Sequence, residues 1–429
     1  MLVTDKHTEH ILNRACGCAR YAYNWARQTW LIKKRQGVAS VRINDLLKEF
    51  NASKTPWMME SPKDAMAQAI INFGIAKKLH YENPRHYGFP KRKKYSSRRS
   101  FYITNDHAYI RNGCIKIPKV KNLVRLAEPV CSNCLGGKIN NYVVSRDVNG
   151  KWYVSISYTY DETNVINYTP NHGLVGIDLG VNRLIQLSTG KFVGSSKLLR
   201  KNGLALRRYQ RRMGRCRRGS TRYKRLKFKF NKKNAHIVNC RKDLIHKVTT
   251  EIVRNNCVVA IEDLNVQGML KNRSLSSAIL DSSFYTIRQF LEYKCEKYGS
   301  LLLKVGRFFP SSKKCSRCGH IKETLLLSDR EYVCEHCGGV LDRDTNAAVN
   351  ILAESLFIEM EKRYSTDLAR RKYTPMEIVA LANRLMSVSK PTVCEVQCRT
   401  TRRDRMALVD HLFDGLWNQV APTSYCGCV

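Results

Sequence analysis

The chain has 429 residues, and its 75 Lys plus Arg against 35 Asp plus Glu give a formal charge of +40. A hydrophobic content of 43% excludes a disordered basic tail. No apolar run approaches the roughly 18 residues of a membrane span, and such a charge points to a polyanionic partner, with nucleic acid the default. The length allows about two to four domains. "MLVTDKHTEH" at the start has no apolar signal core, and the 17 cysteines are odd in number and mostly scattered. A reducing compartment with thiol or metal roles is therefore expected rather than a disulfide frame.

Residues 1 to about 90 read as helical. Ile11, Leu12, Ala15, Cys16, Ala19, Ala22, Tyr23, Ala26 and Trp30 form one apolar stripe at three- and four-residue steps. A second helix is expected with Ser61 as N-cap, Pro62 at the first position and Asp64 in the first turn. Its apolar face is Ala65, Met66, Ala69, Ile70 and Phe73. Core packing accounts for both stripes; a partner groove is the alternative. "FPKRKKYSSRR" then reads as a basic loop carrying aromatics, either solvated or in contact with phosphate.

From Tyr87 the texture changes to short alternating strands, "RSFYITN", "AYIRNG" and "CIKIPKV". "NYVVSRDVNGKWYVSISYTY" reads as a hairpin with Asn149-Gly150 as a two-residue turn. From Gly173 the pattern is that of an α/β domain. "GLVGIDLGVNRLIQLSTG" gives two strands, residues 201 to 250 a long helical hairpin, "CVVAIEDL" a buried strand, and residues 281 to 299 a helix. The tail from about Glu354 is helical at first, and its last fifty residues read as irregular.

Three features carry chemistry. Cys315, Cys318, Cys334 and Cys337 make two C-x-x-C knuckles separated by 15 residues, each followed by a glycine, Gly319 and Gly338. That spacing predicts one closed, structural, tetrahedral zinc site in a short ribbon. Cys131-x-x-Cys134 and Cys426-x-Cys428 have no comparable mate and read as ordinary thiols.

Carboxylates in apolar strands are the second feature. Asp178 lies inside "LVGIDLG" and Glu262 ends "CVVAIEDL", where an acid is costly unless paired or bound to metal. Asp342 and Asp344 both stand at the start of an Ala-rich helix. Favourable placement on the helix dipole accounts for Asp342. Asp178, Glu262 and Asp344 are read as converging to hold two Mg²⁺ ions about 4 Å apart. Ala347 and Ala348 are small enough to let that helix approach the sheet closely.

The third feature is the basic hairpin. Residues 201 to 242 hold 17 Lys plus Arg and no acid. A merely solvated helix usually mixes signs, so this stretch is read as a nucleic-acid surface, with Arg207, Arg208, Arg211, Arg212, Arg217, Arg218, Lys224 and Arg225 as its contacts.

"GIDLGVNRL", "IEDLNVQGM", "FFPSSKKCSRCGH" and "LDRDTNAAVNIL", in this order, resemble the transposon-encoded TnpB proteins, RNA-guided DNA endonucleases related to the type V CRISPR effectors. "RYAYNWA", "YGFPKRKK" and "IKIPKV" extend the resemblance over residues 11 to 355. It implies an α+β multidomain chain. Residues 1–86 would be a helical recognition-like region and 87–170 a β-rich wedge-like domain. Residues 171–352 would be a RuvC-like nuclease of RNase H fold with a zinc ribbon, 312–340, inserted, and 353–429 a tail of no assigned role. It further implies that Asp178, Glu262 and Asp344 are the nuclease triad. A guide RNA from the transposon end would be a cofactor, and double-stranded DNA with a short adjacent motif the target. Family members open with a strand before the first helix; Met1 falls so close to that helix here that the strand is expected to be missing or cut short. Competing readings are a miniature type V effector, a guided repressor that has lost cleavage, and a transposase. All three acids are present, which argues against the repressor.

Overall fold

The computed structural model describes residues 1–95, 99–130, 137–159, 173–272, 274–326, 329–365, 370, 372–388 and 402–420. Cys131, Cys134, Cys394, Cys398, Cys426 and Cys428 lie outside them. Two compact units are present, Met1–Val165 with Lys224–Ala235, and Ile166–Tyr223 with His236–Val429. No helix among the described residues is long and apolar enough to cross a membrane.

The first unit opens with four helices: α1 (Lys6–Arg35), α2 (Ile43–Ala52), α3 (Pro56–Met59) and α4 (Lys63–Glu82). Asp5 caps α1 by accepting the Thr8 amide at 2.6 Å. Every member of the apolar stripe on α1 is buried, and so is the face of α4. The start of α4 differs from expectation: Pro62 is the cap position and Lys63 the first helical residue, with no side-chain cap. Ser61 is instead buried, its hydroxyl accepting the Cys18 thiol at 3.2 Å, so it serves packing between helices.

Six strands follow: β1 (Arg99–Thr104), β2 (Tyr109–Arg111), β3 (Cys114–Lys116), β4 (Val124–Arg125), β5 (Lys138–Arg146) and β6 (Trp152–Thr159). They form two antiparallel sheets, β1-β5-β6 and β2-β3-β4. The β5–β6 turn is not the two-residue Asn-Gly turn. Asp147 and Lys151 close it, with Gly150 at φ +86° as the last of three loop residues. The Asp147 carboxylate accepts the amides of Asn149 (2.9 Å) and Lys151 (2.8 Å), which favours the longer loop. Nor is the strand before α1 wholly missing. The Leu2 amide donates to Trp152 O, that of Val3 to Arg125 O, and that of Ala127 to Met1 O, so residues 1–3 act as a strand stub.

The second unit is built on a five-stranded sheet. Its strands are β7 (Gly173–Asp178), β8 (Arg183–Leu187), β9 (Phe192–Gly194), β10 (Asn256–Glu262) and β11 (Leu301–Val305), in the order β9-β8-β7-β10-β11. The meander β7-β8-β9 is antiparallel, while β10 and β11 run parallel to β7. Between β9 and β10 lie α5 (Leu198–Gly214) and α6 (Thr221–Asn255). Then come α7 (Val266–Met269), α8 (Ser276–Ser282), α9 (Phe284–Tyr298), the ribbon strands β12 (Glu331–Val333) and β13 (Val340–Asp342), and α10 (Arg343–Tyr364), α11 (Pro375–Val388) and α12 (Arg402–Val420).

Strand parity explains why β7 and β10 read as nearly continuous apolar runs, since each buries both faces. Val175, Ile177, Val259 and Ile261 face a core that includes Ile245 and Ile252 of α6 and Ile287 and Leu291 of α9. Leu174, Val258 and Ala260 face the opposite core, with Ile351 and Leu352 of α10. That second core also contains Ile378 and Met386 of α11 and Val409, Phe413 and Leu416 of α12. The tail thus departs from the irregular chain expected: residues 402–420 are helical and help bury one face of the sheet.

Candidate active site

Alternation along the strands puts Leu174, Gly176 and Asp178 on the α10 side of the sheet, and Val258, Ala260 and Glu262 on the same side. Ile177 pairs with Ile261, so Asp178 and Glu262 stand at matching positions on adjacent parallel strands. Asp344, in the first turn of α10, completes the group. Burial pushes the Asp178 carboxyl up to about 7, with Glu262 next and then Asp344 adding like charge. Burial also raises Glu262, against the opposing hydrogen bond donated by Ser311.

Gly176 makes this approach possible. A Cβ there would stand 2.0 Å from the carbonyl oxygen of Ala348 and 2.9 Å from the Leu352 Cβ. The backbone of α10 therefore lies directly on that glycine, and this fixes how far Asp344 sits from the strand ends.

Asp342 is otherwise engaged. It is the N-cap of α10, accepting the Thr345 amide and hydroxyl at 2.9 and 2.8 Å, and both of its oxygens receive Arg183 Nη1 at 2.9 Å. Arg183 Nε also lies 3.8 Å from Asp344. Asp263, next to Glu262, pairs with Arg288 and, at 3.3 Å, with Arg307. A cleft of about 250 Å³ beside Glu262 is lined by Asp263, Tyr285, Arg288 and Arg307.

Sequence reasoning missed Ser311, Arg183 and Asp263. Ser311 donates to Glu262 Oε1, and its own carbonyl accepts Asn350 Nδ2 at 2.8 Å. Asn350 Nδ2 also reaches Lys314 O at 2.6 Å, while Asn346 bridges Lys314 O and the Ser316 amide. Asn346 and Asn350 are both buried on α10 and tie the start of the ribbon to the helix that carries Asp344. Two asparagines four residues apart on an apolar helix face were the available signal, because buried amides need partners.

Among the described residues the four cysteines are the one group of three or more metal-ligating side chains whose ligand atoms all lie within 4.8 Å. The three carboxylates are spread wider than that. Sγ of Cys315 is 3.8 Å from that of Cys337, and Cys318 is 3.6 Å from Cys334. A tetrahedral ion with Zn–S bonds of about 2.3 Å requires sulfurs about 3.8 Å apart, so the four thiols fit zinc. The two knuckles repeat one pattern. Cys315 N donates to His320 O and Gly319 N to Cys315 O; Cys334 N donates to Gly339 O and Gly338 N to Cys334 O. Gly319 (φ +79°) and Gly338 (φ +66°) supply the left-handed backbone this needs. Burial raises the Cys315 thiol to about 12, whereas at Cys334 burial is opposed by the amides of Cys337 and His336 and by the thiols of Cys337 and Cys318, which together bring it down to about 7.

Arg207, Arg208, Arg211, Arg212, Arg217, Arg218, Lys224 and Arg225 are all exposed on α5, α6 and the turn between them. No Asp or Glu occurs in the sequence from Leu179 to Lys242.

Two family models match the chain, a probable transposase of the OrfB IS605 type over residues 155–273 and the TNB domain of Cas12f1-like proteins over residues 284–351. The second spans the ribbon and the first turns of α10. A solved complex of Cas12f1 with single guide RNA and target DNA has the same fold, with a TM-score of 0.52, 15% identity, and coverage of 81% of this chain and 83% of that one. The fold is thus mixed α/β, like that of the solved Cas12f1 chain, and this chain carries a four-cysteine cluster. A putative RNA-guided DNA endonuclease of Streptomyces pristinaespiralis is 35% identical over 359 residues, 80% of this chain and 85% of that protein. InsQ of Escherichia coli K12, also a putative RNA-guided DNA endonuclease, is 30% identical over 319 residues, 71% and 77% of the two chains. The chain belongs to the TnpB-like family of RNA-guided DNA endonucleases.

Proposed function

We propose that this chain is a transposon-encoded, guide-RNA-directed DNA endonuclease whose second unit is a RuvC-like nuclease of RNase H fold. The observation that supports this reading is that Asp178 and Glu262 stand side by side at the ends of β7 and β10, and that these two acids and Asp344 are near enough for burial, Glu262 and Asp344 together to raise the Asp178 carboxyl to about 7. A sheet in which an antiparallel three-strand meander joins two parallel strands is the RNase H arrangement and supports the same reading. Residues 1–86 would then be recognition-like, 87–170 wedge-like and 171–352 the nuclease, with the ribbon inserted at 312–340. Residues 353–364 continue α10, and α10, α11 and α12 pack their apolar residues into the core on one face of the sheet.

The acid group fits magnesium by its chemistry. Three oxygen donors, two at strand ends with their carboxyl pKa values raised chiefly by burial, are what a hard divalent cation satisfies. Bound there, two Mg²⁺ ions would supply the charge that activates water and stabilises both oxygens of an in-line phosphodiester displacement. The protein's own part is to hold the carboxylates. Gly176 sets the depth of Asp344, Ser311 orients Glu262, and Arg183 keeps Asp342 out of the ligand set. The basic α5–α6 hairpin would contact phosphates of the guide RNA or of the double-stranded target, while base pairing reads sequence.

The test is cleavage and binding of one guided target by Asp178→Ala, Glu262→Ala and Asp344→Ala, with Mg²⁺ and with chelator, alongside sequencing of the RNA that copurifies. Loss of cutting with retained binding is expected for all three. Robust cutting by Asp344→Ala, or by the unaltered chain in chelator, would overturn the assignment.

A further inference from the structure

Phe308 is 94% exposed, more than any other large apolar side chain among the described residues. Singly exposed apolar residues are ordinary and by themselves mean nothing. This one differs in how it is held. It lies in the turn after β11, where the Phe309 amide donates to Gly306 O at 3.1 Å and the Ser311 amide to Phe309 O at 2.9 Å. Arg307, just before it, is paired with Asp263; Ser311, three residues on, donates to Glu262. Phe309 packs into the core on the α10 side, and Pro310 fixes the backbone that follows. Both flanks of Phe308 are thus anchored to the end of the strand that bears Glu262, and the ring between them is turned to solvent.

We propose that Phe308 is a stacking platform at the mouth of the acid site, taking the face of an unpaired nucleobase in the strand presented for cutting. This deepens the nuclease reading and rests on it. The surroundings select the occupant. The adjoining cleft, about 250 Å³, sets Glu262, Arg288 and Arg307 against the apolar Leu264, Val266 and Phe284, a mixture of both charge signs and apolar surface that suits the phosphate and base of a nucleotide. A bare ring reads no base edge, and every base has a π face, so stacking holds a strand without regard to sequence. That suits an enzyme whose sequence is read by a guide. A fixed platform beside the carboxylates lowers the freedom of the phosphate next to the stacked base.

The experiment uses the guided complex of the Asp178→Ala chain on targets carrying 5-iodo-deoxyuridine singly at successive positions across the cut region. Irradiation and peptide mapping should place an adduct on Phe308 from one or two adjacent positions. With the acids intact, Phe308→Ala and Phe308→Leu should cut about 5- to 150-fold less efficiently, and Phe308→Trp or Phe308→Tyr should return to within about 2-fold. Thermal melting should not move, because the ring packs on nothing. Wild-type cutting by Phe308→Leu, with adducts elsewhere only, overturns the proposal. So does a Phe308-dependent dimer in sedimentation with cutting unaffected, which would give the ring to a second copy. Cutting by Asp178→Ala would instead sink the nuclease reading, and the adduct map would still report where the base lies.

Discussion

Gly176→Ala tests how the site is assembled without touching a carboxylate. The added methyl would meet the Ala348 carbonyl oxygen at 2.0 Å, about 1.4 Å short of the 3.4 Å at which ordinary contact begins. The Leu352 Cβ and amide, at 2.9 and 3.0 Å, crowd it further. Neither neighbour can swing aside, since Ala348 and Leu352 are fully buried and the closest atom is backbone. The helix must therefore move off the sheet by about 1 Å, taking Asp344 with it. Overpacking of this kind costs about 1–3 kcal/mol, and misplacing a reacting group by about 1 Å lowers rates by up to about 10²-fold. The expected phenotype is a lower melting temperature, cutting down by about two orders of magnitude, and unchanged affinity for guide RNA. Gly17→Ala is the control: it lies within α1 with nothing inside 4 Å, so it should be neutral or stabilising by up to about 1 kcal/mol. Cleavage assays and melting curves on both variants decide it. Wild-type cutting and melting by Gly176→Ala would refute the close approach and its role in setting the acids.

Asp178 makes the metal-free chain pH-sensitive. Its folded pKa, about 7, exceeds the ordinary 3.8, so its burial is harmless below about pH 4 and destabilises progressively as pH rises to about 7. Asp178→Asn should therefore raise the melting temperature in chelator at pH 8 more than at pH 5, and a flat difference would contradict the shift. Because Mg²⁺ competes with that proton, its affinity in the unaltered chain should climb as pH rises towards 7 and then level, as read by calorimetry. Cys334→Ser should lose the zinc found by elemental analysis and unfold the ribbon locally, structural zinc being worth on the order of 10 kcal/mol in small peptides; an unaltered chain without zinc would end that assignment. Replacing Arg211, Arg212, Arg217 and Arg218 by Ala should lower the slope of log affinity against log salt by up to about 3 to 4, and an unchanged slope would mean a solvated face. Ser311→Ala should weaken Mn²⁺ binding, followed by electron paramagnetic resonance with the Asp178→Ala chain as the blank, while Ser311→Thr should restore it.

Much of this molecule was legible because its signals are local. Four cysteines in two pairs specify their own turns, so a cluster that fits zinc can be read from spacing alone, and the sulfur distances then follow from the two matching knuckles. Asp178 and Glu262 stood out because a carboxylate within an apolar strand is a local contradiction that needs a remedy. The stripe on α1 was visible for the same reason, since its period is a property of the helix itself. Tertiary structure alone decided what depends on partners distant in sequence. Asp263 looks like a second acid beside Glu262, and only Arg288 and Arg307, brought alongside, take it out of the site. Ser311 becomes a partner of Glu262 because Asn350, 39 residues on, holds its carbonyl. Gly176 reads as one more small residue in a strand until α10 is laid on it. The last helix carries no strong sequence signal of its own, and its Val409, Phe413 and Leu416 are buried only because the sheet and α10 leave a face for them to cover. Local periodicity names which residues face inward; it takes the packed chain to say what they face.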